Sequence, residues 1–461
     1  MTPLSRKRLN LYKFLTVKLT DDDLYPHFNY GEEFTLTEVQ KFWKETVTMI
    51  IKKRAPELLG LYIHIPFCKQ KCTFCFCDSY VPSSYRTVQD YIAILKKEIN
   101  TFKDIFDPVS FNTVYFGGGS PSYLKTEDLT ALFEYIKESF HIKADAQIIF
   151  EGTPEDLTGE VLSVIAEQGV NLLTIGAQSL DAKVIKLIKR PQSKKKFIEV
   201  FRSARQLGIT SIMVDLVAGL EGQSFRSFMK DLELVLELGA DNVQVTGFTP
   251  LAHTPFCMAG KVLSSHQKKE REKMIAGAHK VLDRFYRQKG FRASGKIVNL
   301  QETQLQNENA SIFGIGYGAQ SHAFGQGWYH HPHLVPMKKK PDYTKIPPFM
   351  GVRGSIDEEM RRFIIHNLKG DISRNLFYRL FKKDIIKTFQ KEIGEMIRLN
   401  LFRIEEDRII SLIKRRKDHL VLSKIFYSQD RLKKIFNAHK HEYSDQKNYQ
   451  KELDTLYADT D

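Results

Sequence analysis

Cysteine is scarce in this chain, five in 461 residues, and four of the five fall between positions 68 and 77. So few thiols, odd in number, exclude a disulfide framework. No stretch approaches the roughly twenty consecutive apolar residues that cross a bilayer. The basic opening Met1-Thr2-Pro3-Leu4-Ser5-Arg6-Lys7-Arg8 is followed by no apolar run, so neither a membrane span nor a secretory signal is read. The only cysteine outside the cluster, Cys257, has no neighbour to complete a zinc ribbon. No recognised nucleic-acid module accompanies the basic runs Lys338-Lys339-Lys340 and Lys414-Arg415-Arg416-Lys417, which read as solvated faces. What the chain has in excess is positive charge, +14 net, beside 42% apolar residues. The first suits a polyanionic partner, whether nucleic acid, anionic lipid or a polyacidic small substrate. The second suffices for two or three domains with real cores.

Residues 1–55 read as an N-terminal extension ending in a helix from near Thr35 to Lys53, where Thr35 and Glu38 have capping-box spacing. From there to about residue 290, short apolar runs alternate with amphipathic stretches. The runs are Leu61–Ile65, Thr113–Phe116, Gln147–Phe150, Leu172–Ile175, Ser211–Leu216 and Asn242–Thr246. Between the first two, Val88, Ile92, Leu95, Ile99 and Phe102 recur at the spacing of one helix face. Strict alternation of strand and helix predicts βαβ units and a parallel α/β sheet, an open or partial six-unit barrel whose site gathers at the C-terminal ends of its strands. Residues 291–349 read as a Gly-rich turn around Ser311–His322 followed by a Pro- and Lys-rich linker. Residues 350–425 return to helices, Glu359–Leu368, Leu376–Phe381 and Lys383–Leu399, with an extended stretch at Leu401–Ile413, the pattern of a small winged-helix-like domain. Residues 426–461 read as a charged tail.

The first apolar run leads into Cys68-Lys69-Gln70-Lys71-Cys72-Thr73-Phe74-Cys75-Phe76-Cys77. Thiolates at Cys68, Cys72 and Cys75 can hold three corners of an iron–sulfur cubane and leave the fourth iron for another ligand, whereas such clusters are normally held by cysteine throughout. Zinc is the rival, since Cys72 and Cys75 match half a zinc ribbon, but that site wants a second ligand pair. Cys77, one residue beyond Cys75, is badly placed for the same cluster and reads as a buried thiol or a substrate-side residue. The C-x3-C-x2-C spacing with Phe74 before the third cysteine resembles the radical S-adenosylmethionine (SAM) superfamily, whose open iron chelates the amino and carboxylate groups of SAM. An oxygen-sensitive cluster on free thiols points to a cytoplasmic protein.

Each later run ends on a polar or glycine feature. Phe116-Gly117-Gly118-Gly119-Ser120-Pro121 offers backbone groups to a ligand. Glu151 closes the third run; a carboxylate there caps a helix or complements a sulfonium. Gln178 follows the fourth run, and Asp215 lies within the fifth, where a carboxylate needs a partner. Arg190 is either solvated or a fork for the methionine carboxylate of SAM.

Taken together these features resemble oxygen-independent coproporphyrinogen III oxidase and its relatives, over most of the chain from about Asp22 to residue 415. The matching stretches are Tyr62–Cys68, Phe74–Cys77, Phe116–Pro121, Glu151, Gly176-Ala177-Gln178, Arg190 with Gln192, Val214–Leu216 with Gly219-Leu220, and Phe313–Gly316. Carried over by position, Cys68, Cys72 and Cys75 resemble the ligands of a [4Fe-4S] cluster. Tyr62, Gly118, Glu151, Gln178, Arg190 and Asp215, with Phe74 and Gly117 beside them, resemble positions that contact SAM, and Glu151, Arg190 and Asp215 are the catalytic candidates. The resemblance implies one or two SAM molecules, a tetrapyrrole or related substrate, and a reductant such as flavodoxin or ferredoxin. The expected reaction is oxidative decarboxylation of coproporphyrinogen III propionates to vinyl groups. Cys77 favours the oxidase or a methyltransferase-like branch over the related heme chaperones, which usually carry an aromatic residue there. Phe76 in place of glycine and Val245–Pro250 in place of Asn-Tyr-Ala depart from the oxidase pattern, and Asn307 stands nearest to its substrate-side glutamine. Two further readings stay open: a radical SAM methyltransferase using a second SAM on a natural product or heme, and a heme chaperone with its ligand from His322 or from His330-His331-Pro332-His333, a cluster that otherwise reads as a surface loop.

Overall fold

The six apolar runs form six adjacent parallel strands in the computed structural model. The structure describes residues 31–251, 253–289, 299–301, 308–331, 345–368, 370–413 and 416–439, with residues 9, 12, 13, 15, 16 and 25 nearer the start. The elements run β1 (Glu32–Phe34), α1 (Leu36–Ile51), β2 (Leu59–Ile65), α2 (Tyr85–Phe106), β3 (Phe111–Gly118), α3 (Thr126–Ser139), β4 (Ile142–Gly152), α4 (Gly159–Glu167), β5 (Leu172–Gln178), α5 (Ala182–Leu187), α6 (Lys194–Gln206), β6 (Ser211–Ala218), α7 (Phe225–Glu237), β7 (Asn242–Gly247), α8 (Pro255–Met258) and α9 (Ser265–Gln288). The expected capping box of α1 is present: Thr35 Oγ1 accepts from Glu38 N, and Glu38 accepts from Thr35 N at 2.8 Å. The predicted face of α2 is the one it buries, Val88, Ile92, Leu95, Ile99 and Phe102.

Period-two alternation sorts the strand residues onto two faces. Leu61, Ile63, Ile65, Val114, Phe116, Phe150, Leu173, Ile175, Ile212, Val214 and Leu216 point outward into the helix layer and form the main core. The inner face carries a separate small cluster of Tyr115, Ile149, Leu172 and Met213, with Tyr62 against it. Above that cluster the inner positions turn polar. β7 is an edge among the described residues, so the parallel array is open rather than a closed barrel.

The sheet does not stop at β2. The Gly-rich stretch expected as a turn is a strand, a turn and a strand: β8 (Ser311–Ile315) runs parallel to β2, with Leu61 opposite Phe313, and β9 (Gln320–Ala323) returns antiparallel. Small residues allow this, because every residue of β8 is buried and Ser321 Oγ reaches Gly314 N at 2.9 Å. β10 (Gly327–His330), β11 (Phe349–Arg353) and then β1 complete eleven strands, so the N-terminal segment is tied to the sheet through β1.

Beyond it come α10 (Ile356–Asn367), β12 (Asp371–Ser373), α11 (Arg374–Phe381), α12 (Ile385–Thr388), α13 (Gln390–Arg398), β13 (Phe402–Ile404), β14 (Arg408–Ser411), α14 (Arg416–Leu422) and α15 (Gln429–His439). Four helices followed by a hairpin, with strand order β12-β14-β13, match the winged-helix-like expectation. This unit has its own core, including Phe363, Phe377, Phe381, Phe389, Ile393, Met396 and Phe402. The helix expected over Lys383–Leu399 is broken at Phe389, which caps α12 and precedes α13.

Candidate active site

The cysteine loop starts where β2 ends and is fixed at both of its feet. Tyr80 N donates to Pro66 O (2.8 Å) and Cys68 N to Tyr80 O (3.1 Å). Lys71 closes it from inside: its Nζ donates to Cys77 O (2.8 Å), Ser79 O (3.0 Å) and Ser79 Oγ (2.8 Å). The far side of the loop rests on the opposite rim of the sheet. Thr73 N donates to Ile188 O, Phe256 N to Thr73 O, and Phe74 packs with Cys257 against Val184, Ile188, Phe248 and Phe256. Phe74 therefore anchors the loop in an apolar patch, apart from the ring of polar groups.

The thiols influence one another. Burial, then the charges of Cys75 and Cys72, push Cys68 up to about 12. Burial likewise raises Cys72, against the opposing charge of Arg190. A hydrogen bond from Cys77 brings Cys75 down to about 5, and the same bond together with burial pushes Cys77 up. Three buried thiolates in one loop are thus unfavourable unless positive charge lies among them, which is what a metal group supplies. Among the described residues no three His, Cys, Asp or Glu side chains converge tightly enough for a single metal ion. A zinc site wants four ligands at one ion, whereas a cluster takes each thiolate at a separate iron, and one loop supplies three of them here. The donor set fits a cluster.

Facing the loop, β3 to β6 present the polar groups. Glu151 accepts a short hydrogen bond from Tyr115, and its charge acts on Cys77, so the carboxylate looks toward the loop. Tyr62 stands edge-on to Tyr115, 5.4 Å between ring centres, and its hydroxyl lies 3.2 Å from His64 Nδ1. A Cβ on Gly117 would sit 3.1 Å from Tyr62 Oη and 3.2 Å from Glu151 Oε2. Tyr62, Gly117 and Glu151 thus meet at one point. His64 Nε2 donates to Asp78 O at 2.9 Å, so the strand holds the loop through this ring. Gly118, with φ +114, leaves room for it.

On β5 the pairing with β6 slips between Gly176 and Gln178, and Gln178 adopts φ +61. The extra residue swings the Gln178 side chain over Gly176, where Nε2 would lie 3.0 Å from an added Cβ. Arg190 comes to the same spot: it donates to Gly176 O, to Gln192 Oε1 at 2.7 Å, and toward Cys72 Sγ at 3.5 Å. Gln192 in turn donates to Ala177 O (2.6 Å) and Ser179 O (2.7 Å), clamping the bulge. Asp215 is opposite Gly176 on β6. The structure therefore gathers Cys72, Gly176, Gln178 and Arg190 on one side and Tyr62, Gly117 and Glu151 on the other. Lys71, His64 and Tyr115 were not singled out as site residues from the sequence, and Gln192 only as a motif neighbour; alternation along β2 and β3 placed His64 and Tyr115 on the inner face, but nothing local marked Lys71.

Two of the histidines considered as heme ligands are engaged elsewhere. His322 Nδ1 donates to Ala310 O (2.7 Å) and Nε2 to Glu359 (2.9 Å). His331, expected on a surface loop, is fully buried with Nε2 2.6 Å from Glu98. His333 and Asn307 lie outside the described residues.

Residues 62–235 match the sequence profile of the Radical SAM superfamily. The chain is 30% identical over 250 residues to the oxygen-independent coproporphyrinogen III oxidase of Salmonella typhimurium, covering 54% of this chain and 53% of that protein, so it spans about half of that relative's length. It is 30% identical over 277 residues to the heme chaperone HemW of Bacillus subtilis, covering 57% of this chain and 71% of HemW. Among solved structures, coproporphyrinogen III oxidase (HemN) from Escherichia coli superposes with a TM-score of 0.69 at 23% identity, over 83% of this chain and 92% of the other; that likeness establishes the shared fold.

Proposed function

Because the chain belongs to the radical SAM superfamily, in the family of oxygen-independent coproporphyrinogen III oxidases and HemW heme chaperones, we propose that it is a radical SAM enzyme that oxidatively decarboxylates the propionates of a porphyrinogen. A [4Fe-4S] cluster and SAM, which the family implies, supply reductive cleavage of a C–S bond to a deoxyadenosyl radical. The chain's residues do the placing. Cys68, Cys72 and Cys75 would hold the cluster, and Lys71 keeps their loop in shape. Tyr62, Gly117 and Gly118 form the wall on which the methionine end of SAM would lie, and Glu151 would offset the charge of its sulfonium. Arg190, fixed by Gln192, directs its guanidinium at the cysteines, where a ligand carboxylate would replace its present weak contact with Cys72. Gln178 and Asp215 complete the ring toward the nucleoside.

The observation that carries this reading is the donor set: Cys68, Cys72 and Cys75 in one loop, where the charge of Cys75 opposes ionisation of the other two, with Arg190 beside Cys72 and the charge of Glu151 reaching the loop. A HemW match at 30% identity over 71% of that protein stands beside the oxidase matches, so a heme chaperone is the second reading. Against it stand the buried pairs that occupy His322 and His331. The test is anaerobic: reconstitute iron and sulfide, add dithionite, SAM and coproporphyrinogen III, and follow deoxyadenosine and product mass together. Stepwise loss of carbon dioxide is expected, and Cys68→Ala, Cys72→Ala or Cys75→Ala should each abolish the cluster's absorption and all SAM cleavage. Deoxyadenosine with an unchanged porphyrinogen would refute the substrate, and a mass gain of one methylene would move the assignment to methyl transfer. Stable heme binding without turnover would establish the chaperone.

A further inference from the structure

The segment that backs the cysteine loop is the most one-sided in charge of any near the site. From Ala182 to Ile198 there is no acidic residue, while Lys183, Lys186, Lys189, Lys194 and Lys195 are exposed. Among the described residues only Lys195 of these has a carboxylate within ion-pair reach, Glu199 at 3.9 Å. Leu187 lies among the lysines, 38% exposed. The inner side of this segment touches the loop directly, through Ile188 O to Thr73 N at 3.0 Å and Arg190 to Cys72 Sγ at 3.5 Å.

Exposed charges of one sign along a segment attract a partner of opposite sign and speed its encounter. An apolar spot inside such a ring is the anatomy of a protein contact, with a dry centre and a polar rim. A nucleic acid would want aromatic platforms among the lysines, and residues 182–196 contain none. A cluster on the loop needs one electron from outside, and this face is separated from Cys72 by little more than Ile188 and Arg190. We propose that the exposed face of residues 183–195 is the docking surface for an acidic one-electron carrier protein. The proposal rests on the radical SAM reading. In the transfer the carrier's reduced flavin, an anionic hydroquinone, gives up one electron and becomes the neutral semiquinone with no proton exchanged, and a cluster on Cys68, Cys72 and Cys75 would take up that electron.

The test uses the full chain and flavodoxin, an acidic flavin protein, with binding as the first readout, measured by calorimetry with and without the cluster. The triple variant Lys183→Glu, Lys186→Glu, Lys194→Glu should weaken flavodoxin binding by about tenfold or more, a loss of about 1.4 kcal/mol or more. Lys268→Glu, Lys269→Glu, Lys280→Glu, with the same change in net charge on exposed positions of α9, should not. Binding by the unaltered chain should weaken as salt rises. Dithionite-driven deoxyadenosine formation should be equal in all three proteins, while flavodoxin-driven formation falls only in the first variant. Equal binding by the two variants, salt-independent binding, or an oligonucleotide that occupies this face and displaces flavodoxin would each overturn the proposal. Absence of dithionite-driven cleavage in the unaltered chain would instead sink the radical SAM reading, a separate failure.

Discussion

Gly118→Ala is the sharpest single probe of how the fold holds the site. Gly118 has φ +114, a region that L-residues enter at a cost of about 1–3 kcal/mol. An added Cβ would also lie 2.8 Å from His64 Cε1 and Nε2 and 2.9 Å from Cδ2, well inside van der Waals contact. The ring has nowhere to turn, because Tyr62 engages one nitrogen and Asp78 O the other. Overpacking of this kind costs about 1–3 kcal/mol, so the substitution should lower stability by about 2–6 kcal/mol in sum. Whatever strain is relieved by moving His64 releases Asp78, so SAM affinity should fall along with stability. Denaturant unfolding of the iron-free chain measures the first effect and calorimetric titration with SAM after reconstitution the second. Gly159→Ala is the internal control: it opens α4, and no atom lies within 4 Å of its added Cβ, so it should be neutral or stabilise by about 0.5 kcal/mol. A Gly118→Ala protein within about 0.5 kcal/mol of the unaltered one, binding SAM normally, would refute the reasoning about His64.

Two further outcomes concern the frame around the site. Glu38 is held down to about 2, from an ordinary 4.5, first by the Thr35 backbone N–H and then by Arg353. A depressed carboxyl stabilises the fold above its unfolded value and ceases to do so as pH falls through its folded one. The melting-temperature gap between the unaltered chain and Glu38→Gln should therefore be full above about pH 5 and close by about pH 2; a gap independent of pH would contradict it. Glu359 is fully buried and accepts from His322 (2.9 Å), Gly325 N (2.9 Å) and Asn309 (2.9 Å), joining α10 to the β8–β9 hairpin. Glu359→Ala leaves His322 Nε2 and Gly325 N without that acceptor, while Asn309 keeps the Glu359 backbone carbonyl, and should cost about 3–5 kcal/mol in denaturant unfolding; a loss under about 1 kcal/mol would show that the network contributes little.

The sequence made the site legible wherever chemistry sits at the end of an apolar run. Cys68, Gly117, Glu151 and Gln178 each mark the point where a strand's period breaks, and in a parallel sheet those breaks share one rim. Local pattern also sufficed for α1, whose cap is contained within four residues. What the sequence hid depends on pairing between distant segments. Glu98 and His331 are 233 positions apart, and nothing near either one announces the other, so His331 looked like part of a surface loop. The Gly-rich stretch looked like a turn because glycine there serves close packing between β2 and β9, a reason that exists only once the sheet is assembled.

Arg190 and Lys71 show the same limit in charge rather than shape. By composition both belong to basic, solvated stretches, and the expectation for a lone Arg or Lys is an exposed head group. Arg190 escapes it because the bulge at Ala177 turns the carbonyl of Gly176 toward it. Lys71 escapes it because the loop folds back far enough to bring Ser79 and the Cys77 carbonyl around its ammonium. In each case an acceptor created by irregular backbone captures the cation, and irregular backbone is what periodicity cannot read. The four thiols all feel the charge of Lys71 as a downward pull. The residue that looked most like ordinary surface charge therefore sits where it offsets the repulsion that keeping several cysteines in one loop creates.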